Sequence, residues 1–296
     1  MTGREVTSGG PGRADLHVHT TASDGTLAPA QVVDIAAARG LAAVGIADHD
    51  TVAGVGPALL RVRERGRTAP VVVPGVEINT DHGDGEVHVL GYFIDWDSPD
   101  LAATLERLRS GRLARVERIV RKLGRLRMPL SMERIVSLCE EGSVGRPHVA
   151  RAMVEAGYVS SVREAFERYL ARGRPAYVQR DRFTPVEAVQ AVRRAGGVAV
   201  LAHPGLDADL GLIDELVEAG LQGLEVYHPD HDRRLERFYL KVALERGLVV
   251  TGGSDSHGPG GVHGGDIGSR TVDYSAVIEL KRRRERRKTT GDALRT

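Results

Sequence analysis

Beyond residue 13 the chain alternates short apolar runs with stretches in which apolar side chains recur every third or fourth position. The runs at 14–19, 42–47, 71–78, 87–94, 198–202, 222–227 and 248–252 predict strands. The periodic stretches at 28–39, 52–66, 184–195, 209–219 and 231–246 predict helices. Pro29 and Pro185 fall where a first helical turn tolerates proline, because the N–H it lacks has no partner there anyway. Gly40, Gly196, Gly220 and Gly247 fall just past the predicted helix ends, where glycine commonly caps. Strands alternating with helices in this way predict a parallel α/β fold, open or closed into a barrel.

Residues 100–180 break the alternation. Helical periodicity runs over 101–126, 131–141, 146–156 and 161–172 with no strand between, which predicts a helical insertion. The catalytic domain would then be 14–99 with 181–280. Residues 1–13 are glycine-rich, polar and without period, and read as a disordered N-terminus. Residues 281–296 form a basic C-terminal tail, whose charge run reads as a solvated helix end.

Charge sharpens this division. The net charge is +1, yet residues 1–100 carry 7 basic and 14 acidic side chains, while 101–180 carry 17 and 8. The insertion is therefore a basic block between acidic ones, a surface suited to phosphate. No apolar run approaches the ~20 residues of a membrane span, and the N-terminus has no apolar signal core. The single cysteine, Cys139, excludes a disulfide framework and thiolate metal sites. A cytoplasmic protein, with no membrane association and no obligate protein partner, is the expectation.

Carboxylates and histidines gather at the predicted strands. His17 and His19 lie two apart on one strand, so both rings share a face. Asp24 follows in the next loop, and the second strand runs into Asp48-His49-Asp50. Glu77 ends the third strand, His88 lies in the fourth, His203 follows 198–202, and Asp255 with His257 follows 248–252. In parallel α/β folds the C-terminal strand ends are where sites assemble. Six histidines and three carboxylates are too many for one metal ion. They suit two or three ions with at least one bridging carboxylate, and purely N and O donors favour Mn, Fe or Zn. Such centres clamp phosphoryl groups and activate water at neutral pH.

The motifs DLHVHTTASDGT, GIADHDT, PGVEI, HVLGYF, AHP and GSDSH resemble, in order, those of the PHP (polymerase and histidinol phosphatase) family, over residues 14–270. The resemblance implies a distorted (β/α)7 barrel with a trinuclear site at its C-terminal face and an attacking metal-bound hydroxide. Carried over, it gives one ion to His17, His19, Glu77 and Asp255. A second would share Glu77 and add His88 and His203, and a third would take Asp24, His49 and His257. His88 is preferred to His82, because it sits in the strand-like run matching the family motif. Asp48 and Asp50 would orient ligands rather than bind. Three divalent ions are implied, manganese first, with iron or zinc sharing the same donors.

Within that family the chain resembles phosphatases of nucleoside 3′,5′-bisphosphates, some of which also degrade short RNA from the 5′ end. Gly145-Arg146-Pro147-His148, the segment from Gly173 to Val178 and the Glu225–Pro229 stretch carry this likeness. It implies a nucleotide or short-oligonucleotide substrate, with Arg146, His148, Arg174 and His228 as substrate-binding residues and His228 as a candidate proton donor. Histidinol phosphate is the rival substrate. An amidohydrolase would often bridge its metals with a carboxylated lysine, but Lys122, Lys241, Lys281 and Lys288 all lie away from predicted strand ends. A non-catalytic nucleic-acid-binding accessory role would want aromatic platforms, and aromatics are only 4%.

Overall fold

The computed structural model describes residues 12–83, 85–138, 144–179, 183–205, 209–259 and 264–293, with side chains through residue 286. Seven strands close a barrel: β1 (Arg13–Val18), β2 (Ala43–Ile46), β3 (Val71–His82), β4 (Gly85–Tyr92), β5 (Val198–Leu201), β6 (Gly223–Tyr227) and β7 (Val249–Gly252). They are neighbours in sequence order, and β8 (Val272–Asp273) adds to the outer edge of β1. Closure between β7 and β1 comes from a bridge of Val18 with Ser256, where the His19 N–H donates to the Ser256 carbonyl at 2.9 Å. The barrel expectation holds, with one departure from an all-parallel sheet. β4 runs antiparallel to both β3 and β5. His88 lies near the start of β4, yet the reversal carries it to the same end of the barrel as the C-terminal ends of the other strands.

Helices α1 (Pro29–Ala38), α2 (Val55–Arg65), α7 (Pro185–Arg194), α8 (Leu210–Ala219) and α9 (Arg233–Glu245) pack outside the barrel. Thr184 and Asp209 cap α7 and α8 through their side-chain oxygens. Leu16, Val73, Leu90, Tyr92, Val200 and Val249, from five strands, converge in one cluster, and α10 (Ser275–Ala293) adds Ala276, Val277 and Leu280 to it. The segment expected as a basic tail is thus helical as far as Ala293.

The insertion leaves β4 through α3 (Pro99–Arg125), a helix of 27 residues that spans about 40 Å. Its N-terminal half buries Leu101, Leu105 and Leu108 against the barrel's outer core. Its C-terminal half buries Val116, Ile119 and Leu123 in a separate core with α4 (Met132–Ser137), α5 (Arg146–Glu155) and α6 (Val162–Ala165). The helix expected at 131–141 ends at Ser137, and 139–143 lie outside the described residues. The one expected at 161–172 is α6 followed by a π-helical turn, Phe166–Leu170. Arg13 and Gly12, assigned to a disordered segment, belong to the barrel. Arg13 pairs with Asp273, and the Gly12 carbonyl accepts from the Tyr274 N–H at 2.7 Å. Residues 1–11 lie outside the described residues.

Gly253 marks where β7 meets β1. A Cβ there would lie 2.3 Å from the Cβ of His17 and 2.4 Å from its backbone nitrogen. Overpacking a rigid site typically costs about 1–3 kcal/mol. Gly253→Ala is expected to lower the unfolding free energy by that amount, read as a lower urea midpoint with an unchanged m-value. An unshifted midpoint would mean that the barrel is not tightly closed at this seam.

Candidate metal centre

The strand ends bend sharply where the chemistry lies. Three non-glycine residues there have left-handed backbones: Asp50 (φ 50°), His203 (φ 24°) and Asp255 (φ 50°). Each such residue costs roughly 1–2 kcal/mol, although Asp and His tolerate the region better than most. Strain of this kind persists where surrounding structure imposes it, typically at functional sites.

All nine metal-ligand candidates converge here. The Nε2 atoms of His17 and His19 lie 3.2 and 3.3 Å from Glu77 Oε2. The same two atoms are 3.4 and 3.0 Å from Asp255 Oδ1. A tetrahedral ion with ~2.1 Å bonds places its donors about 3.4 Å apart, so these four atoms already outline such a shell. The other Glu77 oxygen, Oε1, is 2.9 Å from His88 Nδ1 and 3.2 Å from His203 Nε2. Asp24 lies 3.4 Å from His257, 3.6 Å from His19 and 3.8 Å from His49. His49 also approaches Glu77 Oε2 at 3.0 Å, so it stands between two groups rather than in one. His88 stands in a group with His49 and Glu77, and His82 joins none of these groups.

The cluster fits cations by its own chemistry. His17 Nε2, both ring nitrogens of His19 and Glu77 Oε2 are buried and lack a properly oriented hydrogen-bond partner. Orphaned buried polar atoms are costly; here both Nε2 atoms face Glu77 Oε2, and His19 Nδ1 faces Asp24. Burial alone would lower the pKa of His17, but Glu225, Glu77 and Asp255 outweigh it and hold it well above its ordinary value. Burial likewise opposes charge on His19, yet the close carboxylates of Asp255 and Glu77 push it up to about 10. Glu77 is drawn well below the carboxylate range despite its burial, by His49, His17 and His88. Their raised pKa values mean that His17 and His19 favour holding protons on nitrogens that an ion would need, while Glu77 stays ionised.

A further layer fixes the donors. The fully buried Glu225 faces His17 Nδ1 at 3.1 Å and accepts from the His203 N–H at 2.9 Å. It holds one ring by its far nitrogen and another by its backbone, as carboxylates behind metal-bound histidines commonly do. Asp48 accepts from the Thr20 N–H at 2.7 Å and the Ser23 hydroxyl at 2.7 Å, shaping the loop that carries Asp24. Asp50 accepts from the Asn79 N–H at 3.0 Å, and the Asn79 side chain reaches His49 Nδ1 at 3.0 Å. Arg112 from α3 pairs with Asp50 at 2.6 Å, tying the insertion to this chain of contacts. Sequence reasoning placed Asp48 and Asp50 in supporting roles but gave none to Glu225, Asn79 or Arg112. Glu225 is a carboxylate inside an apolar strand, the signal that could have found it, whereas Arg112 is one of many arginines on α3.

A cleft of about 300 Å³ opens between barrel and insertion, lined by Asp24, His49 and His88 on one side and by Arg112, Arg146 and His148 on the other. His148 Nδ1 accepts from the Gly145 N–H at 3.0 Å, so a neutral ring carries its proton on Nε2. Burial and the nearby Arg151 lower its pKa and favour that neutral form. Two expected substrate residues do not share this cleft. Arg174 is exposed at the tip of a turn: its N–H donates to the Ala171 carbonyl and its own carbonyl accepts from Tyr177, which aims the side chain outward. His228 is fully buried, with Nδ1 accepting from the Asp230 N–H and Nε2 3.4 Å from Asp255 Oδ2. Its polar edge steadies Asp255 instead of facing the cleft.

A PHP domain profile matches residues 15–171, more than half of the chain. The chain belongs to the PHP family. It is 36% identical over 260 residues to the 3′,5′-nucleoside bisphosphate phosphatase of Chromobacterium violaceum, covering 86% of this chain and 90% of that one. It is 35% identical over 250 residues to the 5′-3′ exoribonuclease Rnm of Escherichia coli, covering 83% and 85%. Identity is 36% over 253 residues to the phosphoribosyl 1,2-cyclic phosphate 1,2-diphosphodiesterase of Eggerthella lenta, covering 82% and 94%. Among solved structures, a Bifidobacterium adolescentis protein assigned as a metal-dependent phosphoesterase superposes with a TM-score of 0.76 at 33% identity, over 90% of this chain and 94% of that one. This PHP protein is a metal-dependent phosphoesterase, and among its described residues no helix is long and apolar enough to cross a membrane.

Two outcomes follow from the protonated, carboxylate-backed donors. Divalent metal binding at neutral pH should release protons, because His19 must shed a proton held up to about pH 10 before it can ligate. Apparent affinity should therefore rise with pH through the neutral range. Calorimetry in buffers of differing ionisation enthalpy reads this directly, and a buffer-independent heat would contradict it. Glu225→Gln should weaken metal retention by about 10–100-fold with the fold intact, as measured by competition with a chelator.

Proposed function

We propose that this PHP protein hydrolyses nucleoside 3′,5′-bisphosphates to nucleoside 5′-monophosphates and accepts short oligonucleotides as longer versions of the same substrate. The observation that carries this reading is the two-ended cleft. Asp24, His49 and His88, candidate metal ligands, line the barrel end, and the cationic Arg146 with the N–H donor His148 lines the other. A molecule bearing two phosphates matches both ends. The names of the bisphosphate phosphatase and exoribonuclease relatives support the same substrate class.

In this reading three divalent ions are bound, manganese in preference to iron or zinc. His17, His19, Glu77 and Asp255 hold one, Glu77, His88 and His203 a second, and Asp24, His49 and His257 a third. When bound, such ions polarise the phosphoryl group and activate water for in-line attack. The remaining work falls to the chain. Arg146 offers a planar fork to the second phosphate, and its guanidinium carbon lies 5.6 Å from the centre of the Phe166 ring, which limits its swing. His148 donates from Nε2 to a phosphate oxygen. Glu225, Asp50 and Asn79 keep the ligand rings in register, and His228 keeps Asp255 so.

Histidinol phosphate fits less well. Its ammonium would face Arg112, Arg115 and Arg146 across the cleft, where a second phosphate is attracted.

The test is phosphate release by the manganese-loaded protein from adenosine 3′,5′-bisphosphate, AMP and histidinol phosphate. The bisphosphate should be strongly preferred. Arg146→Ala should lower its kcat/KM by about 10–100-fold, the weight of a lost charge-assisted pair, while AMP hydrolysis changes little. Best activity on histidinol phosphate, or an equal loss on every substrate, would defeat the proposal.

A further inference from the structure

The cleft does not end at Arg146. A second hollow adjoins it and shares Glu86, Arg115, Arg146 and Phe166 with it, adding Arg172, Tyr177 and Gln179. A third hollow, of about 350 Å³, shares Tyr177 and Gln179 with the second and is walled by Arg118, Arg121, Lys122 and Arg125. The three follow α3 away from the metal centre. From Arg112 to Arg125 the helix carries six cations and a single carboxylate, Glu117, over about 20 Å.

We infer that this stripe binds a single-stranded oligonucleotide, laying the phosphates beyond the reacting nucleotide on Arg118, Arg121 and Arg125 and a base on Tyr177. The inference deepens the proposed function and rests on its placement of the reacting phosphate at the metal centre.

Lack of pairing sets these arginines apart from several others of the insertion. Elsewhere on the insertion, Arg134 pairs with Glu155, Arg163 with Glu167 and Arg168 with Glu164, each within 2.8 Å. Among the described residues no carboxylate lies within ion-pair distance of Arg118, Arg121 or Arg125, and Arg118 Nε is buried without a partner. The wall facing them is fixed. Lys122 donates to the Tyr177 carbonyl at 2.5 Å and Arg115 to the Val178 carbonyl at 2.8 Å, which pins this segment against α3. A positive groove with an aromatic ring at its turn is how single strands are held without sequence preference. At ~3.4 Å per stacked nucleotide, about 20 Å takes some six nucleotides. Carboxylates are present at the middle hollow, where Asp81 and Glu86 line the barrel side and Glu86 lies 3.8 Å from Arg146. The third hollow has none among its lining residues.

The experiment compares the full chain with Arg118→Gln/Arg121→Gln/Arg125→Gln and with Arg163→Gln/Arg168→Gln, which removes paired arginines of the same insertion. Binding of a fluorescent, 5′-phosphorylated hexanucleotide to the metal-free proteins is read by anisotropy against salt. Manganese-loaded turnover of adenosine 3′,5′-bisphosphate is measured alongside. The triple variant should bind about tenfold or more weakly near 50 mM salt and lose about 2 units of log–log salt slope, some 0.7 per phosphate contact. Its bisphosphate turnover, and both readouts of the control variant, should match the parent. A hexanucleotide bound no tighter than a dinucleotide, equal weakening by the control, or equal binding of a duplex would overturn the inference. Hexanucleotide binding as expected, with no bisphosphate turnover by any protein, would sink the proposed function and leave the stripe standing.

Discussion

The structure turns on the burial of one carboxylate. Glu77 has no exposed surface, yet five imidazoles approach its two oxygens, those of His17, His19 and His49 at Oε2 and those of His88 and His203 at Oε1. A buried carboxylate without partners costs several kcal/mol, so Glu77 is tolerable only where positive charge surrounds it. Those partners come from β1, the β2 end, β4 and the β5 end, and only a closed barrel brings them to one point. The strained backbones of Asp50, His203 and Asp255 follow from the same demand. Each has a left-handed backbone at a strand end beside Glu77's partners, where surrounding structure imposes it.

The second constraint is α3. Its lower half belongs to the barrel core and its upper half to the insertion core, so the insertion rides on a rod shared with the catalytic domain. Arg112 sits where the two halves meet and reaches Asp50. Through Asp50 and Asn79 this contact touches His49, so the position of the insertion and the orientation of a metal-site ring are linked by a short run of bonds. Removing Arg112 would leave Asp50, itself fully buried, without its cation. That explains an arginine at a position where the helix otherwise buries leucine, valine and isoleucine.

Much of this was legible in the sequence, and the misses have physical reasons. Strand and helix placements held because their periodicity and glycine caps are local signals. The reversal of β4 was also written there. Between the expected strand ends at 78 and 87 lie eight residues, too few for a parallel crossover, which needs a dozen or more. The ligand candidates stood out because His and Asp are unusual at apolar strand ends. Glu225 did not, because its partner is His17, 208 residues away, and only closure of the barrel joins them. His228 and Arg174 do not line the cleft, for the converse reason. A motif gives residue identity, but whether a side chain faces a cleft depends on local bonds: the Asp230 N–H on one ring nitrogen of His228, and the turn that holds Arg174 outward.

The segregated charge now has a structural meaning. The acidic barrel segments spend their central carboxylates inside, on imidazoles and the cations they are built to hold, while the basic insertion spends much of its charge at the cleft and along α3. In the proposed reading, a phosphate ester entering between them meets attraction from both walls, for different reasons: cations held by the candidate donors below, guanidinium groups above. Neither wall could do this alone. Carboxylates without bound cations would repel a phosphate, and arginines without the metal centre would hold it without acting on it. A single helix joins the two halves, and its sequence changes from apolar contacts with the barrel to a cationic edge at the height of the barrel mouth. The change comes where Arg112 meets Asp50, so the residue that docks the insertion also begins its cationic stripe.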